Sequence, residues 1–121
     1  MHDPSSPAAV VERYLDAYNQ HDIDALIALY ADDACQFLYP AQLLAQGTPA
    51  IRERMAQRFA DPALHATLLQ RTVMGCIVVD HEVVRANYPE GLGSAEVVAI
   101  YEVRDGKIQS ASVTYTPVRL D

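Results

Sequence analysis

The sequence has no tryptophan, only two phenylalanines, two cysteines and one lysine. So little aromatic bulk makes a large concave interior hard to fill solid. The lone lysine, Lys107, follows Asp105-Gly106, a tight-turn signal, and is expected at the surface. A Schiff-base amine needs burial, so amine catalysis is disfavoured. Cys35 and Cys76 have no metal-ligand spacing and read as free, small, hydrophobe-like thiols rather than a disulfide. The four histidines, at 2, 21, 65 and 81, form neither HxH nor HExxH, so no metal is expected. There is no GxSxG turn and no glycine-rich phosphate loop, and Gly91-Leu92-Gly93 reads as a hairpin connection, so no cofactor is expected. Positive charge is also scarce: 9 bases against 16 acids leave a net −7, which argues against nucleic acid and anionic membranes as partners. No apolar run approaches the ~20 residues of a membrane span. The opening "MHDPSSPAAV" lacks the layout of a signal peptide, and a cytoplasmic location is the expectation.

What is present is one domain over residues 1–121, half of it hydrophobic. Residues 1–6 read as a loose lead-in whose last member, Ser6, caps a helix started by Pro7. Val10, Val11, Tyr14, Leu15 and Tyr18 recur at helical spacing. Asp22 can cap a second helix carrying Ile23, Leu26, Ile27 and Tyr30 on one face and ending near Asp32-Asp33. A short strand is expected over 35–39, stopped by Pro40. Thr48-Pro49 starts a third helix with Ile51, Met55 and Phe59 in one apolar stripe and Arg52, Arg54 and Arg58 on the remainder. Asp61-Pro62 closes it. The texture then changes to β-branched, partly alternating segments at 64–73, 76–88, 95–104 and 107–118, separated by Gly75, "PEGLGS" and "RDGK". Three helices followed by a four-stranded antiparallel meander make an α+β fold. A strongly curved sheet wrapped around the helices would bury one face of each element and leave a concave pocket at the open end.

"RYLDAYNQHDIDALIALYADDA", "GTPAIRERM" and "AIYEVRDGKI" resemble the nuclear-transport-factor-2-like superfamily, and within it the ketosteroid-isomerase-like and polyketide-cyclase-like (SnoaL-like) proteins, over about residues 7–117. The resemblance implies a cystatin-like, ketosteroid-isomerase-like cone of three helices in a curved antiparallel sheet. The superfamily mixes isomerases, cyclases, epoxide hydrolases, dehydratases and pure binding proteins, so it implies no single reaction. Its steroid isomerases use a first-helix tyrosine as oxyanion donor, and Tyr14 matches that position, with Tyr30 behind it. Their catalytic aspartate falls on Leu38 or Tyr39 here, and their protonated aspartic acid on Ala99. Two of three groups are therefore absent, and steroid isomerisation by that mechanism is disfavoured. Tyr115 falls where the isomerases carry a large aromatic lining residue.

The residues themselves offer further candidates. Asp80-His81-Glu82 is the densest ionisable cluster on any strand. Strand side chains alternate, so either His81 faces the pocket or Asp80 and Glu82 share that face. A hairpin count about "PEGLGS" brings Glu82 near Ala99, which would return a carboxylate to the pocket. Among Val and Tyr that group would have a raised pKa and serve as acid or base. The competing reading is an outer-face ion pair with Arg71, Arg85 or Arg104. Tyr14 and Tyr30 are cavity donors or core phenols with partners at the core edge. Tyr39, Met55, Phe59, Ala99, Tyr101 and Tyr115 are expected on the pocket wall, or else they fill a closed core. Two functions follow: a cofactor-free acid–base enzyme of isomerase, cyclase or hydrolase class acting on an apolar cyclic or polyketide-like ligand, or a non-catalytic carrier. β-Branched residues on both sheet faces point to a homodimer through the outer face.

Overall fold

The computed structural model describes residues 3–121. Of the lead-in, 3–6 form a turn in which the Ser6 N–H donates to the Asp3 carbonyl; residues 1 and 2 lie outside the described residues. Helix α1 spans Pro7–Asn19, with the Ser6 hydroxyl accepting from the Ala9 N–H. Its inward stripe of Val10, Val11, Tyr14, Ala17 and Tyr18 is buried. α2 covers only Ile23–Ile27, capped by Asp22. A helix of five residues has no stability of its own, and the chain leaves it for a strand. β1 runs Tyr30–Leu38, so Tyr30, Asp32 and Asp33 belong to a strand rather than to a helix end. β2, Gln42–Gln46, pairs back on β1; α3 follows over Thr48–Phe59.

β3 (His65–Met74), β4 (Ile77–Tyr88), β5 (Gly91–Arg104) and β6 (Lys107–Tyr115) form the expected antiparallel meander. β1 joins β6 in parallel, so the whole sheet is mixed, in the order β2-β1-β6-β5-β4-β3. A two-residue β7, Arg119–Leu120, continues on the end of β5 beyond the reach of β6. Register breaks in β1, β3 and β5 bend the strands, as bulges do. The curved sheet takes α1 against β3, β4 and β5, and α3 against β1 and β2. Val10, Val11, Leu26, Ile51, Met55, Val78 and Ile108 are fully buried between them. The result is an α+β cone of helices held in a curved sheet.

Candidate functional site

β4 fixes the parity that the sequence left open. Val78, Asp80, Glu82, Val84 and Ala86 face inward, and the residues between them face out. His81 is therefore on the outer surface, where its Nε2 lies 2.8 Å from Glu96 Oε1. Glu82 is opposite Val97, and Asp80, not Glu82, is opposite Ala99. The hairpin count was two residues out because β5 begins at Gly91, inside the segment read as the turn.

The two inward carboxylates live in different surroundings. Asp80 is fully buried and takes a two-pronged grip from Arg71, Nε to Oδ1 at 2.7 Å and Nη2 to Oδ2 at 2.8 Å. Arg71 also reaches Glu12 at 2.5 Å, and these bonds hold its guanidinium pKa above the usual value. Glu82 is 7% exposed and has no hydrogen bond or ion pair among the described residues. Burial pushes its pKa up, repulsion from Asp80 adds to the rise and Arg71 opposes it, leaving it at about 7.

The phenols form a directed chain. Arg54 Nη1 donates to Gln36 Oε1 at 2.9 Å. A guanidinium has no acceptor, so the amide oxygen must face it and the Gln36 NH₂ must face the other way. There it donates to Tyr30 OH at 2.9 Å, and Tyr30 donates to Tyr14 OH at 2.9 Å. At each link the donated proton points toward Tyr14. The Tyr14 hydroxyl accepts from Tyr30 and keeps its own proton for a further acceptor. Burial, then the neighbouring Tyr30 and Tyr101, raise the Tyr14 pKa well above its ordinary value, so it is a donor rather than a base.

Tyr14 and Glu82 line one cavity of about 120 Å³. Met55, Ala99, Tyr101 and Tyr115 are on its wall, with Gln36, Arg54 and Arg58. Tyr115 is 61% exposed and so stands at the mouth. An outer depression of about 370 Å³ adjoins through Arg54, Arg58, Val84, Val97 and Tyr115. Ala99 and Ala111 are small, which leaves the space beside Tyr14 open. Tyr30 sits behind Tyr14, ring centroids 5.6 Å apart, and is off the wall. Phe59 packs edge-on against Tyr18 and stacks on His21 instead of lining the cavity. Tyr39 is 58% exposed at the strand end and away from the cavity. Leu38, at the isomerase base position, supplies no acid.

The sequence reading missed Gln36, Arg54 and Arg58. The signal for Gln36 was its parity: Tyr30, Ala34 and Gln36 are all inward on β1, and a polar residue at such a position needs a partner. Arg54 and Arg58 are four apart on α3 and share the face that meets the sheet. Both are half-buried, unlike the exposed Arg52.

Solved structures share the whole architecture. An uncharacterised cystatin-fold protein from Novosphingobium aromaticivorans is 26% identical over 90% of this chain and 97% of its own, with a TM-score of 0.83. A putative polyketide cyclase from Sinorhizobium meliloti is also 26% identical, over 87% of this chain and 93% of its own, with a TM-score of 0.73. An LEH-like epoxide hydrolase from M. tuberculosis, 16% identical over 91% of this chain and 82% of its own, matches in fold with a TM-score of 0.79. The family model of the SnoaL-like domain covers residues 11–111, from the middle of α1 to the inward Ala111 of β6, and the chain belongs to that family.

Proposed function

We propose that the chain binds a small apolar cyclic or polyketide-like molecule in this cavity and carries out cofactor-free acid–base chemistry on it. One observation carries the reading: an uncommitted phenol proton and an unpartnered carboxylate with a pKa of about 7 line the same cavity. A carbonyl oxygen of the ligand accepts from Tyr14. Ionised Glu82 takes a proton from the adjacent carbon, and the electron pair moves into the carbonyl to give an enolate held by the phenol. Where the ligand has a β,γ double bond the enolate is a dienolate, and Glu82 returns the proton to its γ-carbon as the double bond moves into conjugation, which is isomerisation. Alternatively the enolate carbon attacks a second carbonyl and Glu82 protonates the new alkoxide, which is cyclisation. In a hydrolase the same pair would act on water and a leaving oxygen. The S. meliloti relative is described as a putative polyketide cyclase and the M. tuberculosis neighbour as an epoxide hydrolase, which supports the range. Steroid isomerisation by the family route is outside it, because Leu38 and Ala99 are not acids.

The test is deuterium uptake α to the carbonyl in a panel of cyclic ketones and 1,3-diketones, followed by NMR. The protein should accelerate uptake, and Glu82→Gln or Tyr14→Phe should each lose roughly 10²–10⁴-fold. Binding of the panel without exchange would favour the carrier.

A further inference from the structure

Arg54 and Arg58 are half-buried and line both the cavity and its outer depression, yet neither has a carboxylate within ion-pair distance among the described residues. Acids are not in short supply in a chain of net charge −7. The other shielded arginine, Arg71, holds two of them. Two like charges four residues apart also repel: burial, and then Arg58, lower the Arg54 pKa. Arg58, in the last turn of α3, gains modest compensation from the helix dipole, which does not replace a counter-ion. Glu82 shares the inner cavity without reaching either guanidinium, and Glu90, on the rim of the depression, is exposed.

Each guanidinium is held through one nitrogen, that of Arg54 also touching the Met55 sulfur at 3.8 Å, and has donors left. Arg54 gives Nη1 to Gln36, and Arg58 gives Nη2 to the Tyr18 hydroxyl at 2.9 Å. Two oriented forks with unspent N–H groups beside an apolar cavity fit a planar oxyanion. We infer that Arg54 and Arg58 are the receptor for a carboxylate carried by the ligand, so that the molecule processed is an apolar acid. This rests on the cavity being the ligand site, as proposed above. A phosphate dianion suits the place less well. The negative end of the α3 dipole opposes a second charge. The carboxylate would thus be gripped at the mouth, with the apolar body passing inward toward Tyr14 and Glu82.

The experiment is calorimetric titration of the full chain at pH 8 with benzoate, its neutral isostere benzamide, and inorganic phosphate. Benzoate should bind about ten-fold or more tightly than benzamide, the worth of charge-assisted hydrogen bonds. Arg54→Met and Arg58→Met, which keep a long apolar stem, should bring the ratio toward one while benzamide affinity is kept, and circular dichroism checks the fold. Arg58→Lys keeps the charge without the fork and should fall between. Equal affinity for benzoate and benzamide, no benzoate binding at millimolar concentration, a preference surviving both Met variants, or tighter binding of phosphate would each overturn the inference. Measuring deuterium exchange in the wild-type protein beside the titration separates the two proposals. A benzoate preference without exchange in the wild type would sink the acid–base reading and leave the receptor standing.

Discussion

Glu82 and Asp80 are two residues apart on one face of β4, and their difference is one of partners. Asp80 is paired by Arg71 and stays committed to the fold. Glu82 is left with a folded-state pKa of about 7 against an ordinary 4.5. A raised acid favours the folded state most below pH 4.5, and that advantage is lost as the pH rises through 7. Glu82→Gln does not titrate, so the variant should gain on the wild type from pH 4.5 upward, by at most about 3 kcal/mol at pH 8. Urea denaturation of both proteins across that range checks it, and parallel stability curves would mean that Glu82 is not strained by its ionisation. The cluster itself was visible in the sequence as Asp80-His81-Glu82, but the choice between faces was not. Parity depends on the register of a strand against its neighbours, which no local spacing encodes. The Gln36 link was hidden for the same reason. Its direction follows only from Arg54 being donor-only, a contact across 18 positions.

Helix α1 is read correctly from capping and apolar spacing, α3 from its proline and apolar spacing although Gly47 and not Thr48 is its cap, and the order of strands β3–β6 from their texture. The errors lie where tertiary pairing overrides local pattern. Tyr30 fits the stripe of α2 by spacing, but β1 claims it, with Tyr30 opposite Ile108 and the Ile108 N–H donating to the Leu29 carbonyl at 2.8 Å. β2 is a short, mostly exposed edge strand and carried no alternation to detect. β7 was likewise invisible, yet one residue is built around it. A Cβ on Gly93 would come within 2.3 Å of the Arg119 carbonyl oxygen. Gly93→Ala should therefore push β7 off β5. The Asp121 N–H, which donates to Leu92 O at 3.1 Å, should lose its protection from hydrogen exchange while the β4–β5 amides keep theirs. Unchanged protection at Asp121 would show that β7 adapts to the methyl without leaving.

For the molecule as a whole, the curved sheet separates two surfaces. The concave one holds the cavity. The convex one carries half-exposed Ile77, Val79 and Val83 on β4 and Val98 and Ile100 on β5, an apolar area with nothing over it in a single chain. We propose that a second copy covers it, in keeping with the β-branched residues on both sheet faces. Light scattering at micromolar concentration should give twice the 13.3 kDa chain mass, and Val98→Glu should shift it toward the monomer. A monomer mass for the wild type would contradict this. No helix among the described residues is long and apolar enough to cross a membrane. In the proposed function the concave surface keeps a carboxylate poised between its two protonation states beside a free phenol proton. The most direct measurement is the carbon-13 NMR titration of the Glu82 side-chain carboxyl in the wild-type protein. A midpoint near 7 that moves when a neutral cyclic ketone enters the cavity is the expected result. A midpoint near the model-peptide value of about 4.3, unmoved by ligand, would contradict the acid–base role.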